Sequence, residues 1–155
     1  MSSGAVLADV AFNAQARVLG PMLVEPSVVG EVLLAVSDSE FTEGRYRLIY
    51  QAIRKLYNDG KPVDGLTVND ALGGNYNELL AEIINQTVTA TNVMEYVAIV
   101  HDKALLRGVA QAAAEITAMV QEGVGEPSDI LEAAEQKMYA VRRGQSAQDM
   151  VPLRQ

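Results

Sequence analysis

Apolar positions along this chain recur every three or four residues, and strict alternation of apolar and polar residues is nearly absent. The pattern therefore predicts helices rather than strands. The longest periodic stretch runs from Asn92 to Glu122 with no Pro and only Gly108 interrupting. Asn92 and Glu95 have the spacing of a capping box, in which each side chain satisfies an orphaned amide of the first turn. About 31 residues at ~1.5 Å each would span roughly 45 Å, longer than a domain of this size needs internally. Leu105, Val109, Ala112, Ile116 and Met119 fall at i, i+4, i+7, i+11 and i+14 and make an apolar stripe. Gly123 suits a left-handed cap, and Gly125 and Pro127 enforce a turn. Ser128 is the expected cap of a return helix whose Leu131, Ala134, Met138 and Val141 form the facing stripe. Arg142 and Arg143 complement the dipole at its end, and Gly144 is the expected stop. Residues 92–143 thus read as a helical hairpin. Only one side of each helix can be buried within such a pair. Ala110, Ala113, Ala114 and Val120 widen the stripe, so a second copy is expected to cover the rest. The candidate subunit-interface residues are Leu105, Val109, Ala112, Ile116, Met119, Leu131 and Met138.

Upstream, residues 1–12 are small and mixed and read as a flexible arm, and residues 13–91 as a compact multi-helix head. Asn13 is the expected cap of a first helix carrying Ala16, Val18, Leu19, Met22 and Leu23 inward, with Gly20-Pro21 predicting a kink or an early end. Val28, Val29, Val32, Leu33 and Val36 give a second helix, since their spacing outweighs their β-branching. Thr42 is the expected cap of the most amphipathic helix, with Tyr46, Ile49, Tyr50, Ile53, Leu56 and Tyr57 on one face and Arg45, Arg47, Arg54 and Lys55 on the other. Asn58-Asp59-Gly60-Lys61-Pro62 is a stop and turn; a short helix with Thr67 as its cap spans Asp64 to Leu72. Gly73-Gly74-Asn75 breaks it, and Leu79, Leu80, Ile83 and Ile84 mark a further helix fading through Thr87–Thr91. Residues 144–155 read as the start of a linker.

Composition narrows the class. The chain has 155 residues, 49% of them apolar but only 5% aromatic, which fits one all-α core with the hairpin beside it. A net charge of −8 argues against nucleic-acid binding by this chain, because phosphate binding draws on Lys and Arg releasing counterions. Nothing approaches the ~20 apolar residues of a membrane span, and the first residues lack a signal peptide's basic and apolar regions. A soluble, cytoplasmic protein is the expectation.

No catalytic or cofactor chemistry is apparent. A phosphate-binding loop needs G-x-x-x-x-G-K-[ST], but around Gly60-Lys61 the first Gly is replaced by Lys55 and the Ser or Thr by Pro62. One His and no Cys preclude a Cys/His zinc cluster. His101, beside Asp102 and Lys103, reads as solvated, and Asp64 as a turn or cap residue. Arg45, Arg47, Arg54, Lys55 and Lys61 read as a solvated helix back, and the Tyr46, Tyr50, Tyr57 row as core or interface. The chain is expected to be no enzyme, with no cofactor and no metal.

The order of these elements resembles the N-terminal domain of the DnaB-type replicative DNA helicases over roughly Asn13 to Arg143. Four segments carry the likeness: Ala16-Arg17-Val18-Leu19-Gly20; Glu40-Phe41 with Arg47-Leu48-Ile49-Tyr50-Gln51-Ala52-Ile53; Lys61-Pro62-Val63-Asp64 with Leu66-Thr67-Val68 and Leu72; and Thr91-Asn92 with Tyr96, Ile99-Val100 and Arg107. Gln15, Arg17, Thr42 and Tyr46 depart from the family's usual acidic, aromatic and His residues. Met150-Val151-Pro152-Leu153-Arg154 looks like the opening of the family's linker to its motor domain. The resemblance implies a domain that dimerises through its hairpin, joins as a trimer of dimers in a hexamer, and offers a surface to the C-terminal domain of the primase, at residues sequence does not name. Two other readings are the helicase-binding end of a DnaG-type primase and a free-standing homologue that regulates a helicase ring.

Overall fold

The computed structural model of the chain describes residues 3–87, 92–123 and 125–150, with side chains described from residue 14 to residue 144 within those ranges. The described residues form seven α-helices: α1 (Ser3–Val24), α2 (Val29–Ala35), α3 (Gly44–Asn58), α4 (Gly65–Ala71), α5 (Asn77–Asn85), α6 (Val93–Glu122) and α7 (Pro127–Met150). Short 3-10 turns at Pro26–Val28 and Asp38–Glu40 precede α2 and α3. The chain divides into two compact units, one up to His101 and one from Asp102. The opening of α6 therefore belongs to the first unit, which moves the expected boundary from residue 92 into the helix itself. The cause is apolar: Val93, Val97 and Val100, spaced at four and three, are buried in the head core.

That core is continuous. Val18, Leu19 and Met22 of α1, Val29 and Val32 of α2, Ile49, Tyr50 and Ile53 of α3, Val68 of α4, and Leu80 and Ile83 of α5 are all at most 2% exposed. Burying each Leu, Ile or Val stabilises by ~1.5–3 kcal/mol, which explains why the head overrides two local signals. α1 continues through Pro21 to Val24 instead of ending there. One missing backbone bond costs ~3 kcal/mol, less than exposing Met22 and Leu23 would. The same helix is formed from Ser3, so Asn13 is not its cap, and the expected loose arm is helical over 3–12. That segment contains no Pro and only Gly4 as a helix-weakening residue. Gly20 permits the crossing of α1 over the end of α5: a Cβ there would lie 1.9 Å from Thr87 Oγ1 and 3.3 Å from the Ile83 carbonyl.

Caps also differ from expectation. α3 is capped by Glu43, whose side chain accepts from the Arg45 amide at 3.4 Å, because Thr42 is engaged elsewhere. α4 is capped by Asp64, with Thr67 as the reciprocal member of the capping box at 2.9 and 3.0 Å. Gly73 and Gly74 follow with φ of +94° and +92°, conformations other residues resist. Of the expected fade through Thr87–Thr91, residues 88–91 lie outside those described.

In the second unit α6 turns through Gly123 (φ +61°) and Gly125 (φ +93°), as the glycine spacing predicts. The return helix starts at Pro127 rather than behind a Ser128 cap; Pro at the first helical position has no amide to leave unpaired. The Glu126 carbonyl accepts from the Asp129 and Ile130 amides at 2.9 and 3.1 Å. α7 also passes Gly144, the expected helix stop, and runs to Met150. A single Gly costs only ~1 kcal/mol in a helix, and Gln145 to Met150 contain no breaker. Residues 151–155, where the linker likeness was strongest, lie outside those described.

Candidate functional site: the apolar face of the hairpin

α6 and α7 meet along a seam of small and partly buried side chains. A Cβ on Gly108 would stand 3.5 Å from Val141 Cγ1, so the helices approach closely there. Ala112 is 5% exposed, and Glu115 Oε1 receives Lys137 Nζ at 2.8 Å, a bond that runs from one helix to the other. Gln111 Nε2 donates to the second Glu115 oxygen at 2.8 Å. These two bonds, led by Lys137, hold the Glu115 carboxyl below its ordinary value of 4.5.

The expected interface residues divide between seam and surface. Ala112 is buried in the seam, while Leu105, Ile116 and Met119 are half-buried. Val109, Leu131 and Met138 are 37%, 62% and 40% exposed. Leu105, Val109, Ile116 and Met138 also line an open groove of about 610 Å³ between the two helices, joined by Leu106 and Tyr139. Leu106, Val120 and Tyr139 are each more than 60% exposed. Leu106, Val109, Ala113 and Val120 follow at i, i+3, i+7 and i+14, a second stripe turned away from the seam by roughly 80°. Sequence reading centred the stripe on the seam and so missed Leu106 and Tyr139. The signal that separates them is Gly108, which marks where the partner helix comes close.

In the head, the basic cluster is mostly engaged locally. Arg45 pairs with Glu43 at 3.4 Å, Arg54 with Asp38 at 3.6 Å, and Lys55 with Asp59 at 3.4 Å, while Arg47 Nε donates to the Phe41 carbonyl at 3.0 Å. Of the tyrosine row, Tyr50 is core and Tyr46 half-buried, but Tyr57 is 46% exposed. Tyr50 donates to the Val36 carbonyl and stacks at 4.9 Å on Phe41; burial pushes its phenol up to about 12. Burial likewise raises Tyr46. Gln51, then Arg54, hold Asp38 below 3.8 against its modest burial. His101 is not solvated: its Nδ1 meets Glu40 Oε1 at 2.8 Å, Glu40 Oε2 accepts from the Ser37 amide at 2.7 Å, and Glu40 is 7% exposed. Two departures from the family pattern touch each other. Buried Gln15 donates to Thr42 Oγ1 at 2.8 Å and accepts from the Thr42 amide at 3.1 Å, tying α1 to the start of α3. Arg17 lies 5.6 Å over the Tyr96 ring. Among the described residues no group of three or more His, Cys, Asp or Glu is placed to hold a metal ion.

A cored helical head unit followed by a two-helix unit defines an all-α head-and-hairpin fold. The DnaB-like helicase N terminal domain model matches residues 9–102. A replicative DNA helicase DnaB from Leifsonia xyli subsp. xyli is 33% identical over 150 residues, covering 90% of this chain and 32% of that protein. Another from Synechocystis is 26% identical over 163 residues, 99% of this chain and 18% of that one. The crystal structure of the N-terminal domain of DnaB helicase from Mycobacterium tuberculosis superposes with a TM-score of 0.77 at 27% identity, over 83% of this chain and 95% of that one. The chain therefore belongs to the DnaB-like helicase N-terminal domain family. It spans a third or less of the length of these curated relatives.

Proposed function

We propose that this chain is the assembly and partner-docking domain of a replicative helicase, acting by contact and without an ATPase motor of its own. The observation that carries the reading is the uncovered apolar face of the α6–α7 pair, with Leu106, Val120, Leu131 and Tyr139 more than 60% exposed. Such a face marks an interaction surface, and a second copy of the hairpin is the occupant that family membership favours. By resemblance, hairpin-paired dimers join as a trimer of dimers and offer a platform to the primase C-terminal domain. Family membership speaks against the reading as the helicase-binding end of a primase. Local pairing of Arg45, Arg54 and Lys55 and the charge of −8 support a domain that leaves nucleic acid to others. No single described helix is long and apolar enough to cross a membrane, and the one bent pair that passes on composition, Ala14–Val24 with Pro26–Ala35, supplies the head core. A cytoplasmic location fits that reading.

Light scattering at micromolar concentration should return a dimer. Val109→Asp, which places a charge on the groove without disturbing the buried seam, should return a monomer. In calorimetry, the primase C-terminal domain should bind the wild type with micromolar affinity, about −8 kcal/mol, and lose binding to Val109→Asp. A monomeric wild type would remove the pairing. Equal binding by both proteins would show that docking does not need it.

A further inference from the structure

The groove on the hairpin is apolar except at two points, and those two have opposite charge. Among the residues that line it, the charged ones are Glu135 and Arg142, both on α7. They stand at i and i+7, two helical turns and ~10 Å apart along one stripe, with Met138 and Tyr139 between them. Both are exposed, and neither forms a salt bridge among the described residues.

An exposed charge without a partner is ordinary; the arrangement of these two is not. They lie symmetrically about a centre between Met138 and Tyr139, the two groove residues of α7 that are large, apolar and 40% and 61% exposed. In a two-fold interface residue i of one copy meets residue j of the other, and j meets i. Antiparallel α7 helices crossing at that centre would bring Glu135 level with the partner's Arg142 at both ends, and the Met138 thioether against the partner's Tyr139 ring. Parallel helices would instead set Glu135 against Glu135 and Arg142 against Arg142, two like-charge contacts. The neighbouring charges add no competing pattern. Glu132 and Arg143 are exposed but line no part of the groove, and Lys137 is held by Glu115 of its own chain at 2.8 Å.

We propose that Glu135 and Arg142 select the direction and register of hairpin pairing: α7 lies antiparallel to α7 of a second copy, through two symmetric Glu135–Arg142 ion pairs about a Met138–Tyr139 centre. The proposal rests on the reading that a second copy covers the hairpin, and adds which residues meet there.

Sedimentation equilibrium of the full chain measures the dimer Kd. Glu135→Arg and Arg142→Glu should each weaken it at least about tenfold, because each replaces two attractive contacts per dimer by two repulsive ones. Both substitutions together should bring the Kd back to within about threefold of the wild type, since antiparallel copies then carry the same pairs reversed. Glu132→Arg and Arg143→Glu change the net charge by the same amounts away from the groove and should leave the Kd unaltered. Circular dichroism should be the same for all five variants. Raising salt from ~0.05 to ~0.5 M should weaken the wild-type dimer and strengthen those of the two groove single variants. A dimer indifferent to the single reversals, one that the double exchange does not recover, or equal loss on reversing Glu132 or Arg143 would each overturn this register while leaving hairpin pairing in place. A monomeric wild type would remove both.

Discussion

The two units of this chain solve the same problem to different extents. In the head, Val18, Leu19, Val32, Phe41, Ile49, Ile53 and Val68 are completely buried. From Asp102 onward Ala112 is the sole buried apolar side chain among the described residues, while six large ones are at least 37% exposed. The contrast follows from geometry: five helices and the first turns of a sixth can enclose a centre, but two helices share only a seam. The head is therefore expected to owe its stability to itself, and the hairpin to whatever covers it.

The largest effect that separates the two should come from the head core. Ile53→Ala is expected to cost ~2–5 kcal/mol, through lost transfer energy and a cavity, and to lower the urea midpoint equally at every protein concentration. A cost that varied with concentration would mean that the head, too, depends on a partner. Next comes the buried tie between α1 and α3. Gln15→Ala leaves the Thr42 amide without its acceptor and should cost ~1–3 kcal/mol, again independent of concentration. Leu131→Ser on the hairpin should change the stability of dilute protein by less than ~0.5 kcal/mol, since the side chain is 62% exposed there. The same substitution should erase the gain in hairpin stability at high concentration. Amide exchange of α7 at two concentrations measures both.

The helices of both units were legible in the three-and-four spacing, and so were the turns at Gly73-Gly74 and Gly123 to Gly125, because these signals are local. What sequence missed depends on distant partners. Pro21 breaks a helix by local rules but sits in α1 because Met22 and Leu23 are held by the core. His101 read as solvated because its partner, Glu40, is 61 residues away. Thr42 looked like a cap, but Gln15, 27 residues upstream, engages it. On the hairpin the periodicity was correct, and the face was turned toward the seam because Leu105 and Leu106 are chemically alike. Only the approach of Val141 to Gly108 says which of them points inward.

The smallest effects are those of pH, and they divide the units by direction. Glu115 is held below 4.5 by Lys137 and Gln111, and Asp38 below 3.8 by Gln51 and Arg54. For each, the unfolded chain takes up protons first as pH falls. Their stabilisation is complete above those ordinary values and is lost as pH drops through the lowered folded ones. Acid should thus loosen both units, the hairpin through the Glu115–Lys137 bond between its helices and the head through the turn before α3. Alkali should act differently. Burial raises Tyr50 to about 12 from 10.0, so the unfolded chain loses its proton first above pH 10. The head's stabilisation from that phenol is full below pH 10 and gone once pH passes about 12. Circular dichroism melts across pH 3 to 12, read with amide exchange of α3 and α7, should show both helices weakening in acid and α3 weakening first in alkali. Lys137→Met should flatten the acid response of α7 and leave that of α3 unchanged. Should α7 keep its acid response in that variant, the Glu115–Lys137 bond is not the source of that response.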